Sequence, residues 1–154
     1  MAVSCRVSYT FTGTSIAEDI TTISVYTIEN KAMRVNPTLS NSLTEALKDK
    51  YRRFTRLQQV VDGGDIMVEG EIMSYEITAM AVTANEVASQ NRLTVTVKII
   101  FTDNKYPRNN FDRNFVAYED FASTVSFDGA EASLVDEIIK KLVEDIFNGT
   151  VANW

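Results

Sequence analysis

Apolar residues along this chain recur with two periods, one of two residues and one of about 3.6, and the switches between them mark out its elements. In Thr21–Ile28 (TTISVYTI), Ile23 and Val25 point one way and Thr22, Ser24 and Tyr26 the other, so this β-branched stretch is expected to be a strand. The period then lengthens. Asn36 is placed to cap a helix whose first position is Pro37, and Leu39, Leu43, Ala46, Leu47, Tyr51 and Phe54 form its apolar stripe. That helix should fade over Thr55–Gln59. Gly63-Gly64 makes a turn into Asp65–Thr78, a long strand with Ile66, Val68 and Ile72 on one face. Gly70 interrupts that face, as a bulge or a close backbone approach would. Ala79–Gln90 is a polar, alanine-rich connection of ambiguous conformation. Arg92–Thr102 alternates most cleanly, with Leu93, Val95, Val97, Ile99 and Phe101 inward. Asp103–Asn110 reads as a hairpin loop, and Phe111–Tyr118 returns antiparallel with Phe111 and Phe115 inward. A second helix follows. Asp128 and Glu131 have capping-box spacing, and apolar pairs repeat from Leu134-Val135 to Ile146-Phe147. Asn148-Gly149 reads as its terminator.

The order is β-α-β-β-β-α. The first two strands flank a helical crossover and should run parallel, and the later ones connect by hairpins. Two amphipathic helices each need an apolar sheet face, and the cleanest strand offers one. The prediction is therefore an α+β two-layer sandwich, with two helices packed on one face of a mixed four-stranded sheet. The opposite face should be threonine-rich and partly exposed. Residues 1–154 read as one domain, with 1–15 as an N-terminal tether.

Composition narrows the function. The chain is 154 residues long, 45% hydrophobic and 23% charged, enough for a core that buries roughly 70% of the unfolded surface. Its net charge of −6 is the wrong sign for a nucleic-acid partner. Histidine is absent and Cys5 is the only cysteine. That leaves no Ser-His-Asp or Cys-His arrangement, no usual metal-ligand set and no disulfide within the chain, so neither enzyme activity nor a cofactor is expected. Glu69, Glu71 and Glu76 lie along one strand, where a solvated face accounts for them better than a catalytic pair. Asn148-Gly149-Thr150 matches a glycosylation sequon, read here as accidental.

Cys5 is either a small half-buried thiol or the lipidated first residue of a mature lipoprotein. Ala2-Val3-Ser4 supplies the small residues that precede such a cysteine, without a charged n-region or an apolar h-region, so Met1 and its neighbours read as a scar or truncation point. Two cationic groups stand out. Lys48, Lys50, Arg52, Arg53 and Arg56 end the first helix, where they suit either lipid phosphates or the negative end of the helix dipole. Lys105, Arg108 and Arg113 surround the hairpin, as a phosphate-contacting tip or as an ordinary solvated turn. The position of Trp154 is open between packing on the sheet and touching a partner.

Taken in order, Leu39-Ser40-Asn41-Ser42-Leu43-Thr44-Glu45-Ala46-Leu47, Thr55-Arg56-Leu57, Gly64-Asp65, Glu69-Gly70 with Ile72 and Tyr75, Asn91-Arg92-Leu93-Thr94-Val95-Thr96-Val97 and Ile146-Phe147-Asn148 resemble the LptE family, the lipopolysaccharide-assembly lipoproteins of Gram-negative outer membranes. Cys5, with Tyr9, Phe11 and Gly13 after it, fits the start of a mature member. The resemblance implies two helices on a four-stranded mixed sheet, which the periodicity predicts independently. It also implies a non-enzymatic partner that plugs an LptD-type β-barrel and helps deliver lipopolysaccharide. Such a protein would be held at the periplasmic side of the outer membrane by lipid on Cys5. Arg52, Arg53, Arg56, Lys105, Arg108 and Arg113 are then the candidate lipopolysaccharide contacts. The alternatives are an unrelated periplasmic lipoprotein with an apolar ligand pocket between helices and sheet, and a carboxylate enzyme.

Overall fold

The computed structural model describes residues 16–80 and 89–152. Cys5, Trp154 and most of the Ala79–Gln90 connection lie outside the described residues. Two helices, α1 (Leu39–Phe54) and α2 (Phe127–Phe147), pack on one face of an open mixed sheet. The strands are β1 (Thr22–Val25), β2 (Glu29–Asn30), β3 (Gln58–Gln59), β4 (Ile66–Ala79), β5 (Gln90–Asp103) and β6 (Phe111–Ala122). Their order is β3-β1-β4-β5-β6, with β2 also paired to β4, so among the described residues the sheet has six strands where four were expected. The two additions, β2 and β3, are two residues each and carry no readable period.

The predicted Thr21–Ile28 strand is interrupted for a physical reason. Val25 pairs with Val68 and Glu29 with Glu71, so the offset falls from 68 − 25 = 43 to 71 − 29 = 42. Between them, Ile28 turns its backbone to α1: its N–H donates to Thr44 Oγ1 (3.0 Å) and its carbonyl accepts from Ser40 Oγ (2.5 Å). Helix side chains thus satisfy the groups that the ladder gives up. Thr44 is almost fully buried for this purpose. As expected, β1 runs parallel to β4.

Asn36 does cap α1, from two residues further out than Pro37-first numbering implies. Its Oδ1 accepts from the N–H groups of Thr38 (3.0 Å) and Leu39 (3.1 Å), and regular helix begins at Leu39. Leu39, Leu43, Leu47 and Tyr51 are buried, while Phe54 stays half exposed.

In β4, Gly70 marks a close approach and not the bulge. A Cβ there would sit 2.8 Å from Ile99 Cδ1 and 2.8 Å from the Lys98 carbonyl oxygen. The bulge falls between Ile72 and Ser74. It flips the parity of the strand, so Ile66, Val68 and Ile72 are buried before it and Tyr75 after it. β5 and β6 keep their predicted inward residues: Leu93, Val95, Val97, Ile99, Phe101 and Phe115 are buried, and Phe111 stacks on Phe101 with ring centroids 5.3 Å apart.

Both predicted ends of α2 need correction. Asp128 and Glu131 form no capping box: Ser126 holds the cap position without a side-chain cap bond, and Glu131 reaches away to Tyr75 and Asn36. Asn148-Gly149 does not stop the helix. The chain winds on through a π-helical turn, Asn148–Ala152, that buries Thr150 and Val151. Every apolar pair from Leu134-Val135 to Ile146-Phe147 is buried against sheet and α1.

Candidate functional site

Residues 16–21 lead into β1 at the end of the sheet shared by the β5–β6 hairpin and the C-termini of both helices, and this root is held from several directions. The Arg56 guanidinium donates to the carbonyls of Ile20 (2.7 Å), Ala17 (2.7 Å) and Ile16 (3.4 Å). From the hairpin, Lys105 Nζ donates to the Asp19 carbonyl and the Tyr106 hydroxyl to the Asp19 carboxylate (2.9 Å). Asp65 Oδ2 accepts from the N–H groups of Thr21 (2.8 Å) and Thr22 (3.2 Å). Those backbone donors, helped by Lys105 at 3.8 Å, hold the Asp65 carboxyl below its ordinary value. The hairpin is itself ordered by Asp103, whose carboxylate accepts from the N–H groups of Lys105 (3.0 Å) and Tyr106 (2.8 Å) and from Asn109 Nδ2 (3.0 Å).

The cations of the two predicted groups, each read as a phosphate contact or as ordinary surface charge, have different surroundings. Arg56 and Lys105 converge on the root. Arg52 and Arg53 both pair with Asp49 (2.5 and 2.9 Å) in the last turn of α1, where the helix dipole also favours them. Lys48 pairs with Glu45, and Lys50 with Glu144 (2.6 Å) while lying over Phe54 (4.2 Å). Arg113 covers Phe115 (4.7 Å) and Phe111 (4.9 Å) and abuts Gly149, where any side chain would collide with its guanidinium. Arg108 stands beside the Tyr106 ring (5.8 Å). Arg52 and Arg53 remain about two-thirds exposed or more, at 67% and 70%, and Arg108 and Arg113 are exposed as well.

At the opposite end, Tyr75 donates to Glu131 Oε1 (2.5 Å) and Asn36 Nδ2 to the same oxygen (2.9 Å), joining sheet, α1 entry and α2. Burial, then the Glu131 carboxylate, pushes the Tyr75 phenol up to about 12.

Among the described residues, the far face of the sheet has no helix over it. Alternation places Glu69, Glu71, Ser74 and Glu76 of β4 on it, Arg92, Thr94, Thr96, Lys98 and Ile100 of β5, and Asp112, Asn114, Val116, Tyr118 and Asp120 of β6. A concavity of about 460 Å³ opens there between Tyr26, Glu29, Glu69, Glu71, Lys98 and Ile100. Three further concavities lie along the β6–α2 edge, beside β3 and between the N-terminal ends of the helices. The concavity of Val116, Ala117, Tyr118, Lys140, Lys141, Glu144 and Asp145 opens between β6 and α2, the position the ligand-pocket alternative calls for, but charged side chains make up four of its seven lining residues. Among the described residues, no group of three acidic, histidine or cysteine side chains is placed to hold a metal. Nor, among them, is any helix long and apolar enough to cross a membrane.

Sequence reasoning passed over Asp19, Asp65 and Tyr106, which build the root with Arg56 and Lys105. The Gly64-Asp65 pair was visible, but a carboxylate reading two backbone N–H groups some forty residues away has no local signature.

The family model LptE, described as lipopolysaccharide-assembly, matches residues 20–149. No curated protein matches the chain. Among solved structures, a minor lipoprotein from Acinetobacter baumannii is 15% identical, with a TM-score of 0.53 over 82% of this chain and 89% of that one. A homolog of a neuraminyllactose-binding hemagglutinin from Helicobacter pylori is 11% identical, with a TM-score of 0.58 over 90% and 87% of the two chains. A hypothetical protein from Chlamydia trachomatis is 7% identical, with a TM-score of 0.55 over 86% and 99%. At these identities the likeness is one of fold.

Proposed function

Because the chain belongs to the LptE family of lipopolysaccharide-assembly proteins, we propose that it is a non-enzymatic, lipid-anchored partner of an LptD-type β-barrel. On this reading it works at the periplasmic side of the outer membrane, plugging the barrel and assisting delivery of lipopolysaccharide. The observation that carries the reading is the family match over residues 20–149, on a body whose N-terminal root is pinned at one end. Eleven peptide links separate Cys5 from Ile16 (16 − 5 = 11), a reach of at most about 40 Å when extended. Lipid on Cys5 would therefore hold the body close to the leaflet, and by the end that carries Arg56 and Lys105. Several acyl chains make such an anchor stable, whereas one alone binds marginally. Within this scheme Arg52 and Arg53 are the lipopolysaccharide contacts to test first, because a guanidinium fork matches phosphate oxygens and two exposed forks stand side by side here.

The test is purification of the full chain from native outer membrane in mild detergent. A co-purifying barrel protein and a Cys5 peptide heavier by its acyl groups are expected. Recovery of the chain with no barrel overturns the partnership, and a bare Cys5 thiol in the mature protein overturns the anchor.

A further inference from the structure

We propose that the uncovered face of the sheet, and not the helix layer, is the surface that seats against the barrel wall, and that the wall it fits presents basic side chains opposite Glu69 and Glu71. The inference rests on the partnership proposed above and specifies its geometry.

The two outer surfaces of the sandwich differ in kind. The helix layer pairs much of its charge: Glu45 with Lys48, Asp49 with Arg52 and Arg53, Glu137 with Lys140, and Glu144 with Lys50 across the two helices. Asp128, Asp136 and Asp145 of α2 form no ion pair among the described residues, so the two layers differ first in the apolar surface they expose. The sheet face instead exposes large apolar side chains in mid-strand, with Ile100 at 37%, Val116 at 53% and Tyr118 at 46%, set among Thr94 and Thr96. Val116 and Tyr118 lie directly across from Thr96 and Thr94, and interfaces use such a mixture of aromatic, aliphatic and small polar residues.

Charge then selects the occupant. The two cations of β5 are both committed to β6: Arg92 to Asp120 (2.7 Å), with its guanidinium over the Tyr118 ring (3.8 Å), and Lys98 to Asp112 (3.3 Å). The β4 acids on the other flank are left without such partners. Among the described residues, neither Glu69 nor Glu76 forms an ion pair, and Glu71 has the Lys31 charge nearby, already paired with Glu29. The concavity sets Glu29, Glu69 and Glu71 against Lys98, which lies directly across from Glu71 and is paired with Asp112, so its lining keeps an excess of negative charge beside apolar Ile100. It repels lipid phosphates and accepts lysine or arginine side chains from a protein wall.

A photo-crosslinking residue is placed singly at Ile100, Val116 and Tyr118, and at the exposed helix positions Glu45 of α1 and Asp136 of α2, in the full chain expressed in its native membrane. Barrel adducts are expected from the three sheet positions and not from the two helix positions. In parallel, the double substitution Glu69→Lys/Glu71→Lys should lower the barrel co-purified per chain by about tenfold or more. Glu69→Gln/Glu71→Gln should lower it less, because it removes attraction without adding repulsion. Thermal melts of both variants report whether the fold persists, and the crosslinking arm stands without them. Barrel adducts from the helix positions alone overturn this inference and leave the partnership standing. Adducts of two copies of the chain, or of lipopolysaccharide, from the sheet positions also overturn it. If the unsubstituted chain recovers no barrel, the partnership falls and this surface assignment falls with it.

Discussion

Tyr51 and Thr150 form a buried hydroxyl pair joining α1 to the turn that follows α2, and their coupling can be worked out from the structure. Both residues are fully buried, and their oxygens are 2.6 Å apart. Thr150 Oγ1 also lies 2.9 Å from the Ile146 carbonyl and 3.1 Å from that of Phe147. A threonine hydroxyl has one hydrogen, which those carbonyls take, so Tyr51 donates and Thr150 accepts. Tyr51→Phe then removes a donor and leaves Thr150 with its own bond, at a cost of about 1 kcal/mol. Thr150→Val costs more, about 1–3 kcal/mol, because it strands the Tyr51 hydroxyl in the core. In the Thr150→Val background the phenol has nothing to donate to, so adding Tyr51→Phe should be neutral or stabilising. Urea melts of the four proteins at constant slope test this, and a coupling of about 1–2 kcal/mol is expected. Additive costs would refute the hydrogen-bond direction and the isolation of the pair. Alkali gives a second check. Burial raises the Tyr51 phenol above its ordinary value of 10.0, so the folded state favours the neutral form; that contribution is complete below pH 10.0 and is lost as the pH climbs through the folded value. Tyr51→Phe should therefore lose less stability with rising pH than the unsubstituted chain.

Gly70→Ala should lower the urea midpoint. Contact with Ile99 and the Lys98 carbonyl costs about 1–3 kcal/mol, against about 0.5–1 kcal/mol regained from the unfolded chain; unchanged or greater stability would show that the approach is not tight. Asp65→Ala should flatten the acid limb of stability: the depressed carboxyl contributes above its ordinary value of 3.8 and is lost as the pH falls below that through its folded value. An acid unfolding profile parallel to that of the unsubstituted chain would remove Asp65 from the account of the root.

What could be read in the sequence was whatever repeats. The inward rows of β5 and the apolar pairs of α2 run long enough for their periods to be unambiguous, and both are buried throughout. The bulge in β4 left only a blurred trace, since the buried apolar positions are even-numbered through Ile72 and odd-numbered at Tyr75 but Met67 and Met73 break the alternation, and Gly70 drew attention to a different place. The misreadings were local rules overtaken by distant partners. Glu131 has capping-box spacing, yet Tyr75 and Asn36 claim its carboxylate. Gly149 has the composition of a helix stop, yet its lack of a side chain is used to admit Arg113 while Thr150 is drawn in to Tyr51. The cations were visible as charge, but whether a guanidinium faces solvent, a carboxylate or a run of carbonyls depends on the fold. Arg56 looks like Arg52 in sequence and does different work.

The same contrast governs how an open sheet face can exist without pairing indiscriminately. A 12-residue outer strand such as β6 offers unpaired backbone groups to any passing strand. Here Lys141 reaches from α2 to donate to the Tyr118 carbonyl (2.9 Å) on that edge and also pairs with Glu119 (2.5 Å), so a charged side chain must be displaced before a strand can add there. Arg113, near the other end of β6, is packed on Phe115. The edge is thus guarded while the face beside it is not. A partner that docks on the face has no guard to remove and meets Ile100, Val116 and the β4 acids directly, so the structure favours seating by side chains over strand addition. Lys141→Ala separates the two routes: contact through the face keeps the same barrel adducts from Ile100 and Val116, whereas strand addition at β6 would raise the yield of adducts at Tyr118 selectively.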